Sequence, residues 1–254
     1  MAVQIQSIER AAAVLRLLTG HSRPRALTEL AAELQLPKGT VYGIVRTLEA
    51  VGFVEQDRES RRYQLGPALL HIGSSYLNGS ELRRHALGWA YTLATQTGEG
   101  VRIGTLHENL ALIVHHVPAA DEVLPMPEVG SLMPLHATAL GKALLAHHPR
   151  LVAEIGGGPL SSRTATTITD PDRLRAQLGQ IAERGWADDF GEFRSGVASI
   201  AAPIEAHDGA VAGAIAISGP TANICQGDSP RAALVGYVTD SARRISRQLG
   251  GRRW

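Results

Sequence analysis

Apolar residues near the start of the chain recur at helical spacing. The pattern predicts a first helix over residues 7–19, with Ser7 as its N-cap. A second helix is predicted from about Thr28 to Leu34, and three residues separate it from a third helix that begins near Lys38. In the third helix apolar residues fall at i, i+3, i+4 and i+7, so one face packs inward and the opposite face is left for solvent or a partner.

Strand-like alternation follows the third helix. Residues 53–55 and 62–65 read as two short strands around a turn at residues 57–60. A helix, a three-residue turn and a second helix is the spacing of a helix-turn-helix, and a hairpin after it forms a wing. We therefore predict a winged helix-turn-helix domain, with the helix-turn-helix at about 26–47 and the wing at 53–65.

Beyond residue 66 the pattern changes to a mixed α/β domain. We predict a largely antiparallel sheet with a helix at each end, so the fold class expected for the chain is α+β. The predicted strands lie at residues 101–106, 110–117, 196–205 and 211–218. The predicted helices lie at residues 68–77, 82–97, 139–147 and 170–184, and a last one opens at Ser229-Pro230 and reaches Leu249. The predicted domains are residues 1–66 for the head, 67–80 for a linker helix and 81–250 for the second domain.

Composition and charge narrow the class of protein. Hydrophobic residues make up 44% and charged residues 19% of the 254 residues, which is typical of a globular protein rather than a disordered one. No apolar run approaches the roughly 18–20 residues of a membrane span, and the N-terminus has no signal-peptide layout. The lone Cys225 cannot form an internal disulfide, so we expect a cytoplasmic protein. Residues 1–66 carry a net charge of +2 and the remainder −1, so contact with nucleic acid would depend on local patches.

Such patches occur on the predicted head. The outward positions of the third helix and the tip and return strand of the wing carry residues that could meet phosphates and base edges. The predicted DNA-binding residues are Lys38, Thr40, Tyr42, Gly43, Arg46, Thr47, Arg58, Arg61 and Arg62. Small helical heads with a hairpin also occur as protein-interaction modules, so that alternative stays open.

The second domain shows no catalytic arrangement. Gly141-Lys142 is not a phosphate-binding loop, because His136 and Ala143 stand where a glycine and a hydroxyl residue are needed. There is no GxSxG elbow, and the histidines match no zinc spacing. Asp188 and Glu192 are expected to cap a loop or lie in a solvated turn. We expect no enzyme activity, no cofactor and no metal.

Three separated segments, in order, resemble one known family, the IclR-type transcriptional regulators. The first comprises residues 5–11, 36–42 and 46–48. The second is Pro134-Leu135-His136-Ala137-Thr138-Ala139-Leu140-Gly141-Lys142-Ala143, and the third comprises residues 185–204 and 214–220. Within the family the chain most resembles the glycerol-operon regulators of actinomycetes. It departs from the family pattern at Gly39 and Gly43, where larger polar residues are common, and at Glu205-Ala206, where an aromatic-acidic pair is common.

The resemblance implies a GAF-like α/β domain that senses a small organic ligand. By resemblance, the effector-binding residues are Met126, Ala139, Leu140, Asp189, Val197, Ser199, Ala216 and Ser218. The apolar members, such as Val197 and Ala216, could equally be ordinary core residues of a strand.

The sequence therefore predicts a ligand-responsive, DNA-binding transcriptional regulator. We expect a repressor of a catabolic operon whose effector is glycerol or glycerol 3-phosphate. Its expected partners are a double-stranded DNA operator, a small-molecule effector and a second copy or further copies of itself, as a homodimer or homotetramer, with no membrane. Two alternatives remain open: a small-molecule-binding protein or enzyme whose helical head serves only for interaction, and an adaptor that uses the head to bind proteins.

Overall fold

The computed structural model describes residues 5–19, 23–120, 127–154 and 160–251. The chain forms two compact units that divide after Gly79. In the described residues no helix is long and apolar enough to cross a membrane.

The N-terminal unit is a helical triplet followed by a hairpin and a further helix. Its elements are α1 (Gln6–Thr19), α2 (Leu27–Leu34), α3 (Lys38–Ala50), β1 (Val54–Gln56), β2 (Tyr63–Leu65) and α4 (Ala68–Gly79). The first three helices and the hairpin enclose one apolar core, to which Val14, Leu30, Val41, Val45 and Tyr63 contribute buried side chains. Val41 and Val45 are inward positions of the stripe predicted for the third helix, and the helices and the hairpin occur in the predicted order, so the predicted winged helix-turn-helix is confirmed.

Two helix starts in this unit differ from simple capping rules. Ser7 does not cap α1, because the first helical hydrogen bonds run from the N–H groups of Ile8 and Glu9 to the carbonyl of Ile5. Ser7 therefore lies in the first turn. At α2 the cap position holds Ala26, which has no polar side chain, and Glu29 Oε2 accepts the Ala26 N–H instead at 3.1 Å.

The C-terminal unit is built on a six-stranded antiparallel sheet with strand order β5-β4-β3-β8-β7-β6. Its strands are β3 (Gly100–His107), β4 (Leu110–Val117), β5 (Leu132–Pro134), β6 (Ala187–Phe190), β7 (Val197–Glu205) and β8 (Val211–Pro220). Its helices are α5 (Glu81–Thr97), α6 (Ala139–Leu145), α7 (Pro149–Glu154), α8 (Pro171–Arg184), α9 (Thr221–Ile224) and α10 (Ala232–Gln248). The predicted α/β domain with a largely antiparallel sheet is confirmed.

The two faces of this sheet have different coverings. On β4, His115 makes an edge contact with Tyr91 of α5, whereas the next residue, His116, meets Arg102 of β3. Successive strand residues point to opposite faces, so α5 covers one face and Arg102 points to the other. On the second face, α6 packs against the sheet through a core cluster that includes Leu140 and Ala216.

Several short elements are absent from the sequence prediction. β5, β6, α7 and α9 span three, four, six and four residues, and in these stretches neither an apolar alternation nor a helical stripe stands out. Ser229-Pro230 does not open the last helix. It forms a two-residue strand, β10, paired with β9 (Cys225–Gln226), and α10 begins at Ala232.

Candidate DNA-binding surface and ligand cavity

The outward face of α3 carries the predicted base-reading residues. Val41, Val45 and Leu48 are buried on the inner side. Thr40 is half-buried. The remaining predicted positions on this helix are exposed: Lys38, Tyr42, Gly43, Arg46 and Thr47. The structure therefore places these side chains on one solvent-facing strip.

The side chains of this strip make few hydrogen bonds or ion pairs within the protein. Arg46 Nη1 lies 2.8 Å from Glu49 Oε2, an exposed pair one turn apart, and the Thr47 hydroxyl donates to the Gly43 carbonyl at 2.9 Å. A Cβ placed on Gly39 or Gly43 would meet no atom within 4 Å. The two glycines are therefore not required by packing within this chain, and they leave the helix backbone accessible.

The three arginines of the wing differ in their exposure and in their contacts. Arg58 and Arg61 are exposed at the hairpin tip. The turn beneath them is held by Asp57, whose Oδ1 accepts the Ser60 hydroxyl at 2.5 Å and the Ser60 N–H at 2.7 Å. These bonds lower the pKa of the Asp57 carboxyl. Arg62, in contrast, is half-buried and its guanidinium contacts Glu29.

A small cavity lies between α6 and the sheet in the C-terminal unit. Seven of the eight predicted effector-binding residues line it, and Met126 lies outside the described residues. The lining consists of Arg102, Met133, Thr138, Ala139, Leu140, Asp189, Phe193, Val197, Ser199, Ala216 and Ser218. Val197 and Ala216 serve both interpretations: each is buried, and each forms part of the cavity wall.

The polar members of this wall form a row across the sheet. Asp189 on β6 pairs in register with Ser199 on β7, and Ser199 pairs with Ser218 on β8. Arg102 on β3 continues the row, because its Nη1 donates to the Ser218 hydroxyl at 2.5 Å. Neighbouring strands lie about 4.8 Å apart, so the row spans roughly 10–15 Å from the carboxyl group to the guanidinium. One end can accept hydrogen bonds and the other carries positive charge.

Sequence reasoning missed Arg102. The side chain is 3% exposed, its Nε donates to the Pro127 carbonyl at 2.9 Å, and its Nη2 lies 3.0 Å from His116 Nε2. Buried arginine is uncommon because a charge is costly to remove from water. The sequence does carry a signal for this residue, because Arg102 is an arginine inside an otherwise apolar strand pattern.

Asp189 is the acidic end of the row. It is 3% exposed, and its Oδ1 accepts the Glu192 N–H at 2.7 Å. Burial raises the pKa of the Asp189 carboxyl to about 7, although the nearby charge of Lys142 lowers it. Near neutral pH this group can therefore exist in both protonation states.

The acidic neighbours of Asp189 correct an expectation. Asp188 and Glu192 are not in a solvated turn: both are buried. Asp188 lies 3.0 Å from Arg184 Nη2, and Glu192 Oε1 lies 2.6 Å from Lys142 Nζ. Lys142 is fully buried and also donates to Gln177 at 3.1 Å. Basic residues of α6 and α8 therefore pair with the two carboxylates that we expected to cap a loop or lie in a solvated turn.

The Gly141-Lys142 pair is therefore structural. Thr138 caps α6 by accepting the Gly141 N–H at 3.0 Å, and its own hydroxyl donates to the Pro134 carbonyl at 2.8 Å. A Cβ on Gly141 would lie 2.6 Å from the Leu135 Cα. Glycine is needed here because the helix start packs directly on the preceding backbone.

The cavity is narrow. Its volume is about 20 Å³, which is enough for one water molecule. Across the described ranges, no three His, Cys, Asp or Glu side chains are grouped so that they could hold a metal ion.

A winged helix-turn-helix head with an exposed reading helix, followed by an α/β domain with a polar cavity, defines a class of transcriptional regulators. The chain belongs to the IclR family of that class. Residues 7–58 match the family model described as IclR helix-turn-helix domain, and residues 74–247 match the one described as Bacterial transcriptional regulator IclR C-terminal. The chain is thus a DNA-binding regulator rather than an enzyme.

Named relatives support the same assignment. The chain is 45% identical to the glycerol operon regulatory protein of Streptomyces coelicolor and 44% identical to that of Streptomyces griseus, each over the full length of both chains. The expected resemblance to actinomycete glycerol-operon regulators is confirmed. Among solved structures, an IclR transcriptional regulator from Alicyclobacillus acidocaldarius is 29% identical and aligns with a TM-score of 0.82, covering 98% of this chain and all of the other.

Proposed function

We propose that the chain represses an operon for glycerol use and releases its operator when a small polar effector binds the cavity between α6 and the sheet. The observation that carries this proposal is the polar row from Asp189 to Arg102. The names of the two Streptomyces relatives support glycerol metabolism as its setting. We expect the protein to act in the cytoplasm as a homodimer or homotetramer, with two reading heads on two half-sites.

The two ends of the row favour an effector that combines hydroxyl groups with an anionic group. Asp189 can accept a hydrogen bond from a ligand hydroxyl, and the hydroxyl groups of Ser199 and Ser218 can form hydrogen bonds with a ligand that lies along the row. A phosphate fits the guanidinium of Arg102 better than the start of α6, where the Thr138 hydroxyl already holds the Gly141 N–H. Glycerol 3-phosphate has both features, whereas glycerol has only the first.

The size of the cavity explains how binding could control DNA affinity. About 20 Å³ cannot hold glycerol 3-phosphate, so wall side chains must move when it enters. Arg102 and Phe193 are the largest side chains of the wall. A ligand that binds only an opened arrangement shifts the protein toward that arrangement. The proposed release of DNA follows if the opened arrangement binds operator more weakly.

Residues 1–66 are proposed to read the operator and residues 81–250 to sense the effector, with residues 67–80 linking them. Within the head, we assign base reading to Thr40, Tyr42 and neighbouring positions of α3. We assign phosphate contact to Arg46, Arg58 and Arg61.

The DNA-binding assignment is tested by titrating the protein with the DNA upstream of its own gene at several salt concentrations. Arg46→Ala should weaken binding to all sequences and reduce the salt slope by about one unit, because one phosphate contact is lost. Thr40→Ala and Tyr42→Ala should instead change the preference among operator variants. If all three variants fold and bind as the wild type does, α3 does not enter the groove.

The ligand assignment is tested by calorimetry and thermal unfolding with glycerol 3-phosphate and glycerol as probes. At a hundred times its dissociation constant a ligand adds roughly 2.7 kcal/mol to the free energy of unfolding. Ser199→Ala and Ser218→Ala should reduce this stabilisation, whereas Ser162→Ala, an exposed serine outside the cavity, should not. An undiminished effect in both cavity variants would place the ligand elsewhere.

A further inference from the structure

The guanidinium of Arg62 connects the wing to the helix-turn-helix. Arg62 comes directly before β2, and its Nη1 lies 3.1 Å and 3.2 Å from the two carboxylate oxygens of Glu29 in the first turn of α2. The same nitrogen donates to the Pro24 carbonyl at 3.2 Å. The side chains are 36% and 33% exposed. The Arg62 guanidinium is therefore engaged with α2 and the segment before it rather than free at the surface of the wing.

Glu29 contacts more than one part of the head. Besides Arg62, it accepts the Ala26 N–H at the start of α2 and lies 3.2 Å from the Arg25 Nε. The backbone of Arg25 in turn exchanges two hydrogen bonds with Tyr63 of β2, at 2.8 and 2.7 Å. One carboxylate thus ties the start of α2, the segment before it and the return strand of the wing.

The charge of Glu29 is secured by the same contacts. The Ala26 N–H, followed by the hydrogen bond and the charge of Arg62, lowers the pKa of the Glu29 carboxyl. A carboxylate with a lowered pKa stays ionised at neutral pH. The pair is therefore present under the conditions in which DNA is bound.

The two other wing arginines lack such ties. Within the described residues, neither the Arg58 nor the Arg61 side chain makes a hydrogen bond or ion pair. The backbone beneath Arg61 is nevertheless fixed, because its N–H donates to the Asp57 carbonyl at 3.0 Å and its carbonyl accepts from Gln56 Nε2 at 2.8 Å. These two side chains project from a firm turn and are available for phosphates.

We propose that Arg62 is a positioning residue for operator binding: its pair with Glu29 sets the angle of the wing against α2, while Arg58 and Arg61 make the phosphate contacts. The inference rests on the proposed DNA-binding role of the head. A pair this exposed contributes little to stability, so its loss should leave the fold intact and change the orientation of the wing.

The alternative, that Arg62 contacts DNA directly, predicts effects of opposite sign. In that case Glu29 competes with phosphate for the guanidinium, and Glu29→Gln tightens DNA binding. If Arg62 positions the wing, Glu29→Gln weakens binding, because the pair is lost although Gln can still accept the Ala26 N–H. The sign of the Glu29→Gln effect therefore separates the two roles.

The experiment is a salt-dependent DNA titration of the full chain with Glu29→Gln, Arg62→Gln and the double variant. We expect each single variant to weaken binding several-fold, the double variant to be no weaker than either single variant, and the salt slope of Arg62→Gln to equal that of the wild type. Arg61→Gln is the matched control on the neighbouring residue, and its slope should fall by about 0.9, the value for one lost phosphate contact.

Three results would overturn the inference while leaving DNA binding itself in place. These are a slope that falls by about one unit in Arg62→Gln, tighter binding by Glu29→Gln, or wild-type affinity in both. Thermal unfolding of each variant excludes misfolding as a cause of weaker binding. A wild type that shows no salt-dependent binding would contradict the proposed function as well as this inference.

Discussion

The two units of this regulator differ in how many charged side chains they bury. Among the described residues of the N-terminal unit, the pairs of Arg46 with Glu49 and of Arg62 with Glu29 lie at the surface, and Arg25 is the one charged residue that is buried. In the C-terminal unit, Lys142 and Asp189 are almost completely removed from water. Surface pairs contribute little to stability and can be changed at low cost, whereas buried charges must stay paired. The difference indicates that substitutions at the exposed pairs of the head cost less stability than substitutions at the buried charges of the C-terminal unit.

The largest expected effect follows from breaking a buried pair. Lys142→Met should lower the free energy of unfolding by about 3–5 kcal/mol, because it leaves the Glu192 carboxylate buried without its cation. Urea unfolding measures the change. The matched control in the N-terminal unit is Arg46→Met, which breaks the exposed pair with Glu49 and should cost less than about 1 kcal/mol.

A second variant checks the cause. Lys142→Met combined with Glu192→Leu should recover part of the loss, because no charge is then left unpaired. If Lys142→Met costs no more than Arg46→Met, the contrast between the two units does not hold.

The next effect concerns pH. The native state keeps a proton on Asp189 up to about pH 7, whereas the unfolded chain loses it near pH 3.8. The free energy of unfolding therefore falls as pH rises from about 4 to 7, and this group lowers it no further above pH 7. Asp189→Asn, which can still accept the Glu192 N–H, should gain stability relative to the wild type between pH 5 and pH 8, on the order of a few kcal/mol.

The matched control for this pH effect is Asp208→Asn, because Asp208 is exposed in a turn and Asn can still accept its bond from the Ala210 N–H. Its difference from the wild type should be the same at pH 5 and pH 8. Urea unfolding at the two pH values measures both variants. An equal pH response in Asp189→Asn and Asp208→Asn would show that burial of Asp189 has no energetic consequence.

The smallest effect compares two helical glycines. Gly141→Ala should destabilise the C-terminal unit by roughly 1–3 kcal/mol, because its Cβ would press on the Leu135 backbone. Gly43→Ala should instead stabilise the head by up to about 1 kcal/mol, because α3 gains helix propensity and the added methyl group meets no atom. Thermal unfolding gives both signs. A stabilising Gly141→Ala would mean that α6 is packed less tightly than the structure indicates.

The comparison also explains how far the sequence could predict each unit. The candidate DNA-binding face of the head was predictable because it lies on one regular helix, where the buried stripe of Val41, Val45 and Leu48 identifies the exposed face. Arg62 was the exception. Its contact with Glu29 joins residues 33 positions apart, and no local pattern shows that a wing arginine turns back onto α2.

The candidate ligand cavity could be predicted only in part. Its α6 and β6–β8 residues came from a resemblance, and the structure brings them together through strand register. Arg102 was missed because its contact depends on the pairing of β3 with β8, which places it opposite Ala216, from where its guanidinium reaches the Ser218 hydroxyl. The burial of Asp188 and Glu192 was also missed, because the cationic partner of each lies on a different element. Arg184, which pairs with Asp188, is in α8, and Lys142, which pairs with Glu192, is in α6.

The most direct test of the account is the release of DNA by effector. A labelled fragment from upstream of the gene is bound by the wild type and by Arg102→Gln, and glycerol 3-phosphate is then added to each. We predict that the two proteins bind the fragment equally tightly without ligand, that ligand lowers the affinity of the wild type at least tenfold, and that Arg102→Gln does not respond. Wild-type binding unchanged by ligand, or an Arg102→Gln protein that releases DNA at the same ligand concentration as the wild type, would contradict the account.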